Sequence, residues 1–268
     1  MYIHGYLRYI SLIISKLTTK VRILNIDIDN FTFSGFMDHL THGVVFTPNV
    51  DHLMKLQKDR EFYEVYQKAD FVVCDSQILK ATSGLVSQQV IVDQIAGSDF
   101  FPAFCQHHRG NTDRIRIFLL GGTEESVKKA AENINQRAGS EVVIGGYSPP
   151  FGFEHDEAET QRIIERINDS VATVLAVGVG APKQEKWIIK HRDQLPGIDI
   201  FFAIGATIDF QAGLKKRSPK WVTKMGLEWL HRLASEPRRL FKRYMVDGLP
   251  YFYLLVRQRM GWYRNPFE

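Results

Sequence analysis

The sequence predicts an α/β protein built on one parallel β-sheet with helices packed against both faces. Short apolar runs rich in β-branched and aromatic residues alternate with segments whose apolar side chains recur at helical spacing. Most of these runs end at glycine, asparagine, aspartate or serine, which favour turns. Such alternation is typical of βαβ units, so we predict a Rossmann-like parallel sheet, followed by a basic C-terminal helical appendage.

In the first half of the chain, the pattern predicts strands at residues 21–26, 43–46 and 71–74. Helices are predicted at residues 34–40 and 50–68, where apolar residues recur three or four positions apart.

In the second half, the same reasoning predicts strands at residues 115–120, 142–144, 171–177 and 198–204. The predicted helices are residues 124–137, 157–168 and 183–192. A loop that contains two prolines, residues 149–152, follows the strand at 142–144.

Length and composition fit a soluble globular protein, with 268 residues, 44% hydrophobic and 24% charged. Two cysteines without CxxC spacing indicate a reducing compartment. No apolar stretch reaches the roughly 18 residues that a membrane span needs. Residues 1–20 lack a small-residue cleavage site and are expected to be an N-terminal extension. Residues 21–212 form the predicted α/β domain and residues 213–268 the basic tail.

The net charge of +4 conceals an uneven distribution, since residues 213–268 carry 13 Lys and Arg against 4 Asp and Glu. Basic residues stand there beside aromatic and aliphatic ones, as in helices that lie on an anionic membrane. We expect such a surface to be contacted by Arg232, Arg238, Arg239 and Arg243. A helical cap on the body with a solvated basic face is the alternative. Nucleic acid is not expected, because no recognised binding motif accompanies the charge.

Polar residues occur where predicted strands end. Thr47 and Asn49 follow the strand at 43–46, and Asp75 follows the strand at 71–74. A hydroxyl and an amide suit sugar hydroxyls, and a half-buried carboxylate can act as a general base. Asn49 or Asp75 could equally cap the helix that follows it. Carboxyl ends of parallel strands share one sheet edge, so a single cleft is predicted there.

Glycine-rich turns follow two other strands, with Gly121 and Gly122 in one and Gly178 and Gly180 in the other. Backbone N–H groups at a strand-to-helix turn bind anions. The second turn continues into a helix start that supplies a cation, an amide and a carboxylate, in the segment Pro182-Lys183-Gln184-Glu185. A tight turn without a ligand is the alternative.

No metal and no cofactor is predicted. Asp27 and Asp29 have the DxD spacing of many metal-dependent nucleotide-sugar enzymes, but no His or Glu accompanies them. A solvated turn is therefore favoured at this position. The Gly121-Gly122 turn lacks both the dinucleotide fingerprint and the P-loop lysine.

Together these segments resemble the WecG/TagA/CpsF family of bacterial glycosyltransferases, glycosyltransferase family 26. The resemblance runs in collinear order from about residue 45 to residue 244. It is carried by residues 47–49, 96–99, 118–122, 177–185, 204–213, 216–219 and 226–240.

The resemblance implies an inverting transfer from a UDP-sugar, of the N-acetylmannosamine, glucuronic acid or a related type, to a polyprenyl-diphosphate-linked saccharide. Such enzymes work without a metal at the cytoplasmic face of the cytoplasmic membrane. The family's proposed base maps onto Asp75, and its threonine and asparagine map onto Thr47 and Asn49. Its loop glutamine maps onto Gln184 and its late aspartate onto Asp209. The donor site is completed by Gly121, Gly122, Gly178, Gly180, Pro182 and Lys183, and the tail arginines would also face the acceptor.

Two departures from the family pattern concern substrate binding. Asp75 precedes Ser76 where the family usually has glycine, and Gln94 replaces an arginine thought to help hold the diphosphate. Another cation, for which the basic tail is the candidate, is expected to take that role. A nucleotide-dependent Rossmann oxidoreductase and a non-catalytic membrane-binding adaptor are the alternatives, and self-association is left open.

Overall fold

A computed structural model describes residues 19–215 and 248–268. Its first two strands, β1 (Lys20–Ile23) and β2 (Ile26–Asp29), form an antiparallel hairpin. Six parallel strands form the main sheet in the order β4-β3-β8-β7-β5-β6. They are β3 (Gly43–Phe46), β4 (Phe71–Val72), β5 (Ile117–Gly121), β6 (Val143–Tyr147), β7 (Val174–Gly178) and β8 (Ile200–Ala203).

The helices of the described residues fill the intervals between the strands. In chain order they are α1 (Phe33–His39), α2 (Val50–Lys55), α3 (Arg60–Tyr66), α4 (Gln77–Val86), α5 (Gly97–His107), α6 (Glu124–Ala138), α7 (Glu157–Asp169), α8 (Lys183–His191), α9 (Thr207–Gln211) and α10 (Leu249–Arg259). Single 3₁₀ turns lie at Phe153–His155 and Arg192–Gln194.

Two buried hydrophobic clusters cover the two faces of the sheet. Consecutive strand residues alternate between them: Leu175 and Val177 belong to one cluster, Val174 and Ala176 to the other. A parallel sheet that is buried on both faces reads in sequence as a continuous apolar run, as these strands do. The predicted parallel sheet with helices on both faces is therefore confirmed.

The predicted strand at residues 21–26 is wrong, because the chain reverses at Leu24 and Asn25. Leu24 has a positive φ of 53°, and the Asn25 side chain donates to Leu56 O at 2.7 Å. The reversal places Asp27 and Asp29 within β2 rather than in a solvated turn. Asp29 is buried and accepts a hydrogen bond from Val72 N at 2.8 Å, so this DxD segment joins the hairpin to β4.

The predicted helix at residues 50–68 is interrupted. Asp59 caps the start of α3 by accepting from Phe62 N at 2.9 Å, which begins a second helix. Sequence reasoning expected a helix after Asp75 but gave no bounds for α4, and it missed α5 and α9. Glycine begins α5, which also contains a proline, and α9 has only five residues.

The last helix packs against the body. Tyr251 is fully buried, its hydroxyl lies 2.6 Å from Thr82 Oγ1, and Leu24 N donates to Gln258 Oε1 at 2.8 Å. The part of the predicted tail that the structure describes is thus a helical cap on the α/β domain. Most of the N-terminal extension and the four predicted membrane arginines, Arg232, Arg238, Arg239 and Arg243, lie outside the described residues.

Neither of the two described ranges contains a helix that is both long enough and apolar enough to cross a membrane.

Candidate active site

The carboxyl ends of all six parallel strands lie along one edge of the sheet. In spatial order they lead into Asp75, Thr47, Ile204-Gly205, Gly178, Gly121-Gly122 and Ser148. Neighbouring strands are about 4.8 Å apart, so β4 and β7 are separated by roughly 14 Å. The predicted site residues that follow strand ends therefore share this edge, as the parallel topology requires.

Asp75 and Thr47 lie together at the β4 and β3 ends. Asp75 N donates to Pro48 O at 3.1 Å, and the half-buried Asp75 carboxylate accepts from Gly97 N at 3.2 Å. A Cβ placed on Gly97 would lie 3.4 Å from Thr47 Oγ1, so the hydroxyl borders the same spot. Gly97 begins α5, and the positive end of that helix stabilises the negative charge on Asp75.

The interpretation of Asp75 as a cap of the following helix is wrong. Ser76 caps α4 instead, since its hydroxyl accepts from Ile78 N at 3.2 Å. The corresponding interpretation of Asn49 is confirmed. Asn49 Oδ1 accepts from Asp51 N and His52 N, at 3.0 and 3.3 Å, and the His52 ring accepts from Asn49 N. The Asn49 side chain therefore fixes the start of α2 beside Thr47.

Both family departures have structural roles next to the carboxylate. Ser76 supplies the cap of α4, and Gln94 Nε2 donates to Asp75 O at 2.6 Å. The glutamine thus holds the backbone of Asp75 and is engaged within the protein.

The glycine turns bring three strand ends into close contact. Gly121 has φ 125°, and a Cβ there would lie 2.5 Å from Gly178 O. A Cβ on Gly178 would lie 2.6 Å from Gly205 O and 2.9 Å from Ile208 Cδ1. All three distances are far inside van der Waals contact, so only glycine permits this approach of β5, β7 and β8.

A cavity of about 370 Å³ opens above these glycines. Its floor is formed by the ends of β5, β7 and β8, and one wall is the predicted proline loop, residues 149–152. Six predicted substrate-binding residues line it: Gly121, Gly122, Gly178, Gly180, Lys183 and Asp209. Thr47, Asn49 and Asp75 lie on the adjoining β3 and β4 side of the same edge.

Pro182 and Gln184 lie behind the cavity and not in its lining. Pro182 begins α8 after a cis peptide bond with Ala181. Gln184 is buried, and its Oε1 accepts from Gly180 N at 3.2 Å and from Gly205 N at 3.1 Å. The glutamine therefore ties together two loops of the cavity, and the Gly180 N–H is already engaged within the protein.

Two lysines give the cavity its positive charge, and each pairs with a carboxylate. Lys183 contacts Glu154 and lies 4.7 Å from the centre of the Phe151 ring, while Lys215 contacts Asp209. Burial opposes ionisation of Glu154, but the hydrogen bond from Lys183 holds the pKa of Glu154 below its ordinary value. Both ion pairs therefore lie in the lining of the cavity.

Sequence reasoning missed three residues that line this site: Glu154, Lys215 and the fully exposed Phe151. The carboxylate that it noted at the helix start, Glu185, is buried and lies outside the cavity lining. Glu154 and Lys215 lie next to turns outside any periodic pattern, and only the tertiary fold brings them to the glycines. Among the described residues, no cluster of three or more His, Cys, Asp or Glu side chains is arranged to hold a metal ion. Both cysteines, Cys74 and Cys105, are buried and free.

This fold and sheet edge fit an enzyme that transfers a group from a nucleotide-linked donor, and comparison with known families identifies the class. The model of the glycosyl transferase WecG/TagA/CpsF family matches residues 21–265. The chain belongs to this family and is a glycosyltransferase.

Curated relatives support this assignment along nearly the whole chain. The N-acetylglucosaminyldiphosphoundecaprenol N-acetyl-beta-D-mannosaminyltransferase of Staphylococcus aureus (strain MW2) is 26% identical over 249 residues, covering 88% of this chain and 91% of that protein. The protein of the same name from Bacillus subtilis (strain 168) is 28% identical over 242 residues, covering 87% and 90%.

Proposed function

We propose that the enzyme transfers an N-acetylmannosamine-type sugar from UDP to a polyprenyl-diphosphate-linked saccharide, with inversion at the anomeric carbon. The observation that carries the proposal is the pairing of a lysine-lined glycine cavity with a carboxylate on the adjoining strand ends. The names of the relatives supply the type of sugar and of acceptor. Their activity favours transfer over an oxidoreductase or an adaptor.

In this mechanism, Asp75 takes the proton of an acceptor hydroxyl. The hydroxyl oxygen attacks the anomeric carbon while the bond to the diphosphate oxygen breaks, and UDP leaves with that electron pair. One displacement inverts the anomeric configuration. The N–H of Gly97 at the start of α5 donates to Asp75 and stabilises its carboxylate form, which is the form that a base requires.

The cavity lysines stabilise the negative charge that grows on the departing UDP. Lys183 and Lys215 exchange their carboxylate partners for diphosphate oxygens, which frees Asp209 to accept from hydroxyls of the donor. Lys215 comes from the predicted basic tail, so it is a candidate for the cation that replaces the arginine absent at Gln94. Thr47 orients the acceptor beside Asp75, while Asn49 and Gln184 hold the loops.

The tail, as proposed, holds the enzyme on the cytoplasmic face of the membrane as a peripheral protein. The outer face of α10 and its end expose large apolar side chains at helical spacing: Leu249, Phe252, Tyr253, Val256, Met260 and Trp262. Arg257 lies beside Tyr253, 5.8 Å from its ring centre. An aromatic and aliphatic stripe with basic neighbours suits an anionic lipid surface.

A panel of UDP-sugars tests the proposal. The protein is incubated with each UDP-sugar and with undecaprenyl-diphosphate-linked N-acetylglucosamine, and the lipid product is read by mass spectrometry. We expect one added sugar with UDP-N-acetylmannosamine, and a UDP-glucuronic acid arm tests the other donor type. Absence of a product with every donor, in protein that binds UDP, would overturn the proposed activity.

A further inference from the structure

Glu185 is a buried carboxylate next to the residue that joins two loops of the donor cavity. It lies on α8 with an exposed fraction of 1%, and its Oε1 accepts from Gln184 Nε2 at 2.8 Å. Its Oε2 has no hydrogen-bond partner among the described residues. A buried carboxylate is costly to folding, so packing alone does not explain an acid at this position.

The Gln184 amide can hold the two loops together in only one of its two orientations. Its oxygen must face Gly180 N and Gly205 N, because both groups are donors. The reversed amide would present Nε2 to two N–H groups and would release both loops. A side-chain amide has nearly the same shape in either orientation, so its hydrogen-bond partners decide which one is adopted.

Glu185 supplies the partner that selects this orientation. A carboxylate only accepts hydrogen bonds, so it accepts from Gln184 Nε2 and disfavours the reversed oxygen. The contacts therefore run from Glu185 through Gln184 to Gly180 and Gly205, both of which line the cavity. Glu185 itself does not line it.

We propose that Glu185 is a positioning residue for donor binding, which acts by fixing the Gln184 amide so that it holds the loops after β7 and β8 together. This inference rests on the proposed function, because it takes the cavity to be the UDP site. It predicts that an acceptor at position 185 is needed for UDP affinity, whereas a negative charge there is not.

UDP binding measured by calorimetry tests this inference without any acceptor. Glu185→Met removes the acceptor at similar volume, and we expect UDP affinity to fall about tenfold, as for loss of one buried hydrogen-bonded partner. Glu185→Gln keeps an oxygen that can accept from Gln184, so its affinity should stay within about threefold of wild type. Trp187→Phe is the matched control, since Trp187 is buried on the same helix and its indole nitrogen has no described partner.

A double variant separates positioning from general damage to the helix. In a Gln184→Ala background, Glu185→Met should cost no further UDP affinity, because the residue through which Glu185 acts is gone. Wild-type affinity for Glu185→Met, or a full additional loss in the double variant, would overturn the inference. Failure of the wild-type protein to bind UDP would instead overturn the proposed function.

The pH dependence gives a second measure that needs no Met variant. Burial raises the pKa of Glu185 to about 7, although the hydrogen bond from the Gln184 amide and the charge of Lys55 both lower it. The other titratable groups that act across this contact are Asp51 on α2 and Tyr66 on α3. A protonated Glu185 keeps a carbonyl oxygen that can accept from Gln184 Nε2, as the amide of Glu185→Gln does. The UDP affinities of wild type and Glu185→Gln should therefore change in parallel from pH 8 to pH 6, and a fall of wild type relative to Glu185→Gln would contradict the inference.

Discussion

At the scale of single residues, the charged side chains that line the glycine cavity are paired with one another. Lys183 pairs with Glu154 and Lys215 pairs with Asp209, so four charged groups surround the glycine floor. In the proposed mechanism, a diphosphate that enters this cavity replaces the carboxylate partners of the lysines. We therefore expect UDP affinity to depend on the acids as well as on the lysines.

Substitution of Lys183 and substitution of its partner Glu154 should have different effects on UDP affinity. Lys183→Ala removes a cation from the cavity and should weaken UDP binding about tenfold or more, measured by calorimetry. Glu154→Gln removes the competing carboxylate and should leave affinity equal to wild type or higher. Lys190→Ala, an exposed lysine on the same helix, serves as the control for net charge. Weaker binding by Glu154→Gln would show that the acid itself contacts the donor.

The stability cost of Glu185 should depend on pH. Its pKa in the folded protein is about 7, against an ordinary value of 4.5, and burial is the main cause. Between those values the folded state binds more protons than the unfolded state, so stability falls as pH rises to 7. At pH 8, the free energy of unfolding of Glu185→Gln, measured in urea, should therefore exceed that of wild type by up to about 3 kcal/mol. This difference should shrink toward pH 5.

The exposed Glu132→Gln variant controls for loss of a surface charge in that measurement. An equal gain in stability of Glu185→Gln at pH 5 and pH 8 would contradict the claim that the buried, charged carboxylate of Glu185 destabilises the folded protein.

At the scale of elements, the sequence predicted the six parallel strands because each is a short apolar run that ends in turn-forming residues. It failed at residues 21–26, where a single left-handed residue, Leu24, reverses the chain without a glycine signal. It failed again at Asp59. The apolar pattern continues through this position, but the Asp59 side chain caps the start of a new helix. Local preference determines most strands here, while tertiary contacts decide the hairpin and the helix break.

The residues of the candidate site also divide into those that the sequence predicts and those that depend on tertiary contacts. Thr47, Asp75 and the glycines were predictable, because the carboxyl ends of parallel strands must share one edge. Glu154 and Lys215 were not, since their distances from the glycines depend on how the loops pack. The sequence pointed to Glu185 as a carboxylate at a helix start, but its contact with Gln184 Nε2 depends on how α8 packs. No residue spacing in the sequence encodes the contact of Gln184 with two separate loops.

The glycine contact between β7 and β8 gives a prediction at this scale. Gly178→Ala would place a Cβ 2.6 Å from Gly205 O, so the two strand ends must separate. We expect a loss of about 1–3 kcal/mol in unfolding free energy, together with weaker UDP binding. Gly197→Ala is the control, because its Cβ would meet its nearest atom at 3.6 Å. Unchanged stability of Gly178→Ala in urea denaturation would argue against this close packing.

At the scale of the whole molecule, the described tail both caps the body and exposes an apolar face. Tyr251 and Leu255 are buried against the domain, while Phe252 and Val256 face outward on the same helix. The two faces of α10 thus serve different purposes. Because its inner face holds the helix in place, α10 would present its outer face in a fixed orientation to the proposed membrane surface.

Substitutions on the outer face of α10 should therefore weaken membrane binding without affecting folding. The double variant Phe252→Ser and Val256→Ser should reduce sedimentation with anionic vesicles at least about threefold, since it removes apolar area from the lipid contact. Val171→Ser, an exposed hydrophobic residue outside the tail, is the matched control. Equal sedimentation of the double variant and wild type would remove α10 from the membrane contact.

The most direct test of the central claim is the Asp75→Asn variant, assayed for both sugar transfer and UDP binding. Asparagine can still accept from Gly97 N, so the fold and the donor cavity should be preserved. With UDP-N-acetylmannosamine and a lipid-linked acceptor, transfer should fall by at least about 10²-fold. UDP affinity should stay within about twofold of wild type, because Asp75 lies outside the cavity lining. Normal turnover by Asp75→Asn would contradict the assignment of Asp75 as the base.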